Sequence, residues 1–271
     1  MNELTAIILT KDEESDLPRC LEALDGFCET VVVDSGSRDR TREIARKYGA
    51  AVLEHPFESF GTQRNWALDH NPFPAEWLLF LDADEVATAA FRDTVRRAIS
   101  EASTGIAGFY CCWRMMLDDV WLKRADNFPK WQLRLLRNGR VRFIDIAHGQ
   151  KEGAVEGRLE FLREPYLHYA FSKGWSAWVE RHNRYSTQEA ADRALAKATI
   201  RDALVANPSQ RNTALKRLTS RIPGWPLLRF IHTYMLRGGF LDGSAGLRYC
   251  AMIAYYEFLI QLKMREVSRK T

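Results

Sequence analysis

The chain has 271 residues, 46% of them hydrophobic, and carries 39 Lys and Arg against 35 Asp and Glu for a formal net charge of +4. That size buries a large core and suits an ordinary α/β protein or a peripheral membrane protein of one to two domains. The opening residues, MNELTAIILTKDEE, turn acidic after a short apolar run, which argues against a secretory signal or membrane anchor there and predicts a cytoplasmic protein. The five cysteines, Cys20, Cys28, Cys111, Cys112 and Cys250, form no CxxC pair, which predicts reduced, packed thiols and no zinc site.

The first 85 residues alternate strand and helix signals. LTAIILT, TVVVDS, AAVLEH and WLLFLD read as strands, separated by helices from Asp16 to about Asp25, up to Gly49, and around TQRNWALDH. Uniformly apolar strands between amphipathic helices predict a mostly parallel sheet covered on both faces. Ligands of such sheets bind beyond the carboxyl ends of the strands. The polar clusters fall there: TKDEE after the first strand, DSGSRDR after the second and DADE after the fourth.

From Gly105 the segments GFYCCWRMML, KWQLRLLRNG and VRFIDIAHG predict a mixed sheet, with RNG as a hairpin turn. Within KWQLRLLRNG, Arg134 and Trp131 suit a contact to acceptor or phosphate, or a plain strand alternating inside and outside. From Ser172, read as an N-cap, a helix is predicted to about Ala206, with Trp175, Trp178, His182 and Tyr185 at helical spacing and Pro208 ending it. The His182–Tyr185 run reads as a helix face contacting the catalytic domain or, alternatively, as a direct catalytic part. The run LRYCAMIAYYEFLIQLK is interrupted by Arg248 and Glu257 and is too short and polar to span a bilayer comfortably.

Charge is unevenly divided. Residues 1–171 carry 22 basic and 28 acidic side chains, residues 172–271 carry 17 and 7, and no acid occurs from Ala203 to Leu241. Arg211, Lys216, Arg217, Arg221, Arg229 and Arg237 there lie among Trp225, Phe230, Ile231 and Tyr234, a composition suited to an anionic membrane surface or, alternatively, to a helical interface between copies. Bulky aliphatic residues and the lack of a groove-reading motif argue against nucleic acid.

LLFLDADE, residues 78–85, runs a buried strand into three acids. Two carboxylates about 4 Å apart repel by about 1 kcal/mol even in water. A divalent cation shared by Asp82 and Asp84 would relieve this, since Mg²⁺ and Mn²⁺ prefer hard oxygen ligands and leave positions open to water and substrate phosphates. A strand ending in a solvated loop is the alternative.

Taken together, ILTKDEE (8–14), VVVDSGSRDRT (31–41), GTQRNWALD (61–69) and LLFLDADE (78–85) resemble the inverting glycosyltransferases of glycosyltransferase family 2, which have a GT-A fold. WQLRLLRNG, the His148 region, LHYAFSKGWSAWVERHNRYS and GGFLDGSAG are similar to the branch that includes lipopolysaccharide-core and exopolysaccharide transferases.

The resemblance implies that Thr10, Glu13 and Asp34 hold the base and ribose of a nucleotide-sugar donor; Arg64 is placed to meet its diphosphate or is an exposed helical arginine. Asp39 faces the nucleotide or caps the next helix. Asp84 leads as metal ligand, Asp82 reaches the metal or the ribose, and His148 is a third ligand or a packed loop histidine. Asp145 or Glu152 would be the general base of the inverting step. This chain reads His148 then Gly149 where the branch often has a His-Glu pair.

The implied organisation is a GT-A catalytic domain over 1–171, with donor binding in about 1–104 and the acceptor side in about 105–171. A helical, membrane-associating or oligomerising extension follows over 172–271. The acceptor would be lipid-linked or a glycan. Two other readings compete: a sugar nucleotidyltransferase, which would need a Gly-rich phosphate loop that ILTKDEE lacks, and a non-catalytic membrane-binding module.

Overall fold

A computed structural model describes residues 3–146, 149–195 and 208–270. The chain divides into two compact units, Met1–Trp121 with Phe128–Ser172, and Leu122–Asn127 with Lys173–Thr271.

In the first unit the apolar runs form β1 (Leu4–Thr10), β2 (Glu29–Asp34), β3 (Ala51–Glu54) and β4 (Trp77–Asp82), parallel and in the order 3-2-1-4. Their side chains alternate between two apolar clusters. Ile8, Val32 and Leu79 pack with Leu17 of α1 (Leu17–Glu22) and Phe91 of α4 (Ala89–Glu101). Ile7, Val33 and Phe80 pack on the other face with Ala67 of α3 (Phe60–His70). Burial on both faces is why these strands read as unbroken apolar runs. Helix α2 (Thr41–Lys47) joins β2 to β3.

The sheet continues from β4 through β8 (Trp131–Arg137), β6 (Ile106–Leu117) and β11 (Arg158–His168) to the short β5 (Glu85–Val86). Strand β8 runs antiparallel to β4 and β6, and β11 parallel to β6. The chain thus has the expected α/β class and GT-A-type mixed sheet. Strand β7 (Val120–Trp121) pairs with β6, and β9 (Val141–Ile146) pairs with β10 (Gly149–Val155) as a separate ribbon.

The expected RNG hairpin does not form. The turn exists, with Gly139 at φ +77°, but β8 is drawn into the main sheet by buried Leu133, Leu135 and Leu136 while β9 pairs elsewhere. Ser172 does not cap the next helix either: its hydroxyl donates to Asp16 at 2.7 Å.

The second unit contains α5 (Gly174–Leu195), α6 (Pro208–Thr219), α7 (Trp225–Ile231), a π turn over His232–Leu236, a 3-10 turn over Gly239–Asp242 and α8 (Gly243–Lys270). The predicted helix continuation to Ala206 lies outside the described residues. Pro208 opens α6, a position where a missing N–H costs nothing.

Helices α5 and α8 are joined by Arg193, which bonds Glu189 at 2.8 Å and Glu257 at 2.9 Å, and by Lys263, which donates to the Asn183 carbonyl at 2.5 Å. His182 stacks on Trp178 with ring centroids 3.5 Å apart and meets Tyr256 edge-on. Gly246 lets α8 start against the 3-10 turn, since a Cβ there would strike the Gly239 carbonyl oxygen. Among the described residues no helix is long and apolar enough to cross a membrane. The described cysteines are all free thiols.

Candidate active site

Parallel pairing places Thr10 opposite Asp34 and Leu9 opposite Asp82, so the carboxyl ends of β1, β2 and β4 form one edge. Thr10 donates its hydroxyl to Asp34 at 3.1 Å. The buried Asp34 carboxylate also accepts the amides of Gly36 (3.2 Å) and Ser37 (2.9 Å) and the Ser37 hydroxyl, and Arg42 lies 3.7 Å away.

The two loops beyond these strands are stitched by amide bonds to side chains. Asp12 N–H donates to Ser37 Oγ (2.8 Å), Glu13 N–H to Thr41 Oγ1 (2.7 Å) and Glu14 N–H to Asp39 (3.0 Å). Asp39 also accepts the amide and hydroxyl of Thr41. Burial would raise its carboxyl, yet these hydrogen bonds outweigh it and lower the pKa. Asp39 therefore binds the first loop to the start of α2.

The second cluster surrounds Asp82. Arg64 on α3 reaches one carboxylate oxygen at 3.3 Å, and Arg134 on β8 reaches the other at 2.8 Å. Arg134 also donates to Glu85 at 2.5 Å and, through Nε, to the Tyr166 hydroxyl at 3.2 Å. Glu85 accepts the Asp82 amide at 2.8 Å.

Arg134 is buried because β8 carries a bulge. Pairing with β6 jumps from Phe109–Leu135 to Tyr110–Leu133, leaving Arg134 as the extra residue. Such bulges re-aim a side chain. This replaces the plain alternation expected of the strand. It also turns Arg134 inward onto two carboxylates, whereas a contact to acceptor had been one reading.

Burial alone would raise the Asp82 carboxyl, but Arg134 and Arg64 hold it well below the usual range. Glu85, cut off from water and beside Asp82 and Asp84, is pushed up to about 7 despite Arg134. Burial and the neighbouring Arg134 lower Arg64 to about 10 against the pull of Asp82. The buried Nη1 atoms of Arg64 and Arg134 have no protein hydrogen-bond partner.

Asp84 faces His168 at the end of β11, with Oδ2 and Nε2 3.4 Å apart. Burial would lower the imidazole, yet Asp84, then Glu85 and Asp82, raise it to about 9. Its Nδ1 is buried without a partner. Nothing local in LHYAF marks His168 as a site residue; its pairing with Asp84 depends on β11 closing beside β5. Among the described residues no three His, Cys, Asp or Glu side chains form a metal-binding group. His148 lies outside the described residues.

Asp145 stands at the amino end of α3. It accepts the Ser59 hydroxyl at 2.6 Å and the Gly61 amide at 2.8 Å. Gly61 is needed for this approach, since a Cβ would come within 3.0 Å of Asp145 Oδ1 and the Ile144 carbonyl carbon. Asp145→Ala should cost about 1–2 kcal/mol, in the range of a lost helix cap. A thermal melt unchanged within error would show the contact idle.

Glu152, on β10, accepts the Tyr110 hydroxyl, and burial first and this bond second raise the Tyr110 pKa. The structure thus joins Arg64, Asp82 and Asp84 with Glu85, Arg134 and His168. It groups Thr10, Glu13, Asp34 and Asp39 at the neighbouring strand ends, and attaches Asp145 to α3 and Glu152 to β6.

Residues 5–155 match the family model for glycosyl transferase family 2. The chain belongs to that family. As a family member it is a glycosyltransferase. It is 30% identical over 193 residues to the lipopolysaccharide core biosynthesis glycosyltransferase LpsC of Rhizobium meliloti, covering 69% of this chain and 70% of that one. It is 24% identical over 284 residues to an uncharacterized glycosyltransferase of Rickettsia conorii, covering 99% and 92%.

Among solved structures, glucosyl-3-phosphoglycerate synthase from Mycobacterium tuberculosis, in complex with Mn²⁺, UDP and glucosyl-3-phosphoglycerate, aligns with TM-score 0.35 at 19% identity over 42% of this chain and 44% of that one. TarS of S. aureus aligns with TM-score 0.44 at 14% identity over 92% and 55%. The chain spans about half the length of these two proteins.

Proposed function

We propose that this family member moves a hexose from a UDP-linked donor to a lipid-linked or lipopolysaccharide-type glycan, with inversion and the help of Mg²⁺ or Mn²⁺. The observation that carries the reading is the convergence of Thr10, Asp34, Asp82 and Asp84 beyond the carboxyl ends of parallel strands, where α/β sheets bind nucleotides. The role of LpsC in lipopolysaccharide core biosynthesis supports the acceptor class.

Thr10, Glu13 and Asp34 orient the base and ribose, with Asp39 keeping their loops together. The unpartnered N–H groups of Arg64 and Arg134 suit donor phosphate oxygens. Asp84 would supply one hard oxygen ligand and His168 a nitrogen once it gives up its proton, so a cation held there would depend on water and donor phosphate for most of its ligands. Bound there, it would supply neutralising charge for the leaving diphosphate. Asp82, with both oxygens claimed by arginines, is a positioning residue rather than a leading ligand.

Glu152 on its ribbon, or Asp145, takes the proton from the attacking acceptor hydroxyl. Glu152 is favoured because it accepts a single hydroxyl, from Tyr110, while Asp145 holds both Ser59 and the Gly61 amide at the start of α3. The enzyme works at a membrane surface, docked through its basic second unit. Release of nucleoside diphosphate from a panel of UDP- and GDP-sugars tests the reading, and Glu152→Gln should cut turnover by about 10²- to 10⁴-fold with donor binding intact. Absence of both binding and release with every donor in the panel overturns it.

A further inference from the structure

We infer that the second unit carries a binding site for the phosphate of a bilayer phospholipid, a pocket of three arginines at the end of an exposed apolar stripe on α8. The inference rests on the membrane-docking part of the reading above and names its partner.

The pocket holds about 510 Å³ and is lined by Arg221, Arg265 and Arg269, with Ser220, Gln261 and Ser268 among its other walls. Gln261 donates to the carbonyls of Ser220 and Ile222, both at 2.9 Å, and so holds the Arg221 backbone against α8. Arg265 and Arg269 follow Gln261 at four-residue steps on the same helix face.

Like charges at that spacing repel and destabilise a helix unless an anion lies between them. No carboxylate lines the pocket among the described residues. Glu189 and Glu257, on the two helices beside it, are bound by Arg193, Glu266 stands exposed beside Arg265 outside the lining, and Arg221 donates to the Arg193 carbonyl at 3.4 Å. Guanidinium groups so gathered suit the planar, bidentate recognition of phosphate.

The outer face of α8 says where the phosphate comes from. Leu247, Ala251, Tyr255, Phe258 and Leu262 are exposed at steps of three and four residues, and the same stripe continues into Arg265 and Arg269. An apolar stripe that ends in arginines matches the acyl-to-headgroup boundary of a bilayer, with apolar side chains set shallowly and cations at phosphate level. A second copy fits less well. Antiparallel pairing would set Arg248 against the Arg265 and Arg269 end, where the exposed Glu266 offsets one of the two arginines and a net positive charge remains.

Flotation of the full chain with phosphatidylcholine vesicles, with and without phosphatidylglycerol, tests the site. The wild type should float with anionic vesicles. R265Q/R269Q should weaken this at least tenfold, since each basic residue near an anionic surface contributes about fivefold. R265K/R269K should recover flotation only in part, because the charge stays while the planar two-bond fork is lost, and nucleoside diphosphate release from free donor should be unchanged in both.

Equal flotation of the R265Q/R269Q variant and the wild type overturns the site while leaving docking intact. A wild type that stays off vesicles and sediments as a dimer overturns it in favour of a second copy. A wild type stabilised by inorganic phosphate but indifferent to vesicles assigns the pocket to a soluble phosphate and overturns the lipid. In each case continued donor turnover keeps the transferase reading separate.

Discussion

Arg134→Leu should lower the melting temperature by about 10 °C and abolish sugar transfer. The guanidinium is buried and holds two carboxylates, Asp82 at 2.8 Å and Glu85 at 2.5 Å. Removing one partner of a buried ion pair leaves an uncompensated charge and costs about 3–5 kcal/mol. In a protein of this size each kcal/mol moves the midpoint by about 2–4 °C.

The damage should fall mainly on Glu85, because Asp82 retains Arg64 and keeps 40% of its side-chain surface open. A double variant, Arg134→Leu with Glu85→Gln, should therefore lose less stability than Arg134→Leu alone, as removing both partners leaves no buried charge. A single variant melting within about 2 °C of wild type, or a double variant that adds the two losses in full, would show that the pair is not the anchor described.

The parts legible in the sequence are those set by local pattern. ILTKDEE and LLFLDADE each announce a buried strand and a polar exit, because a strand covered on both faces must be apolar throughout. What was hidden depends on partners far along the chain. WQLRLLR alternates well enough to pass for an ordinary strand, and the bulge at Arg134 exists only in the register against β6.

His168 stands 84 residues after Asp84, and nothing local in LHYAF marks it as that carboxylate's partner. Asp145 was legible as a candidate general base, but its hold on Ser59 and Gly61 required α3 to pass beside β9. In the second unit the three- and four-residue spacing of Trp175, Trp178, His182 and Tyr185 showed the first helix. The arginine pocket needs the α6–α7 turn folded onto α8, which spacing alone does not disclose.

Asp84→Asn should keep the fold and lose most transfer activity, by about 10²-fold or more, comparable to removing one group that stabilises developing charge. The substitution preserves shape and removes only the charge, so a change in melting temperature beyond a few degrees is not expected. Two readouts separate a chemical role from a structural one. Stimulation by Mn²⁺ should disappear, because the carboxylate that would share the cation with His168 is gone. The imidazole should also respond. Asp84 is the largest influence raising His168 to about 9 against burial, so its neutralisation should bring the histidine titration down in NMR, a shift visible without donor, acceptor or metal. Wild-type activity that persists in excess chelator overturns the cation. A His168 titration unmoved by Asp84→Asn breaks the pairing on which the site was built.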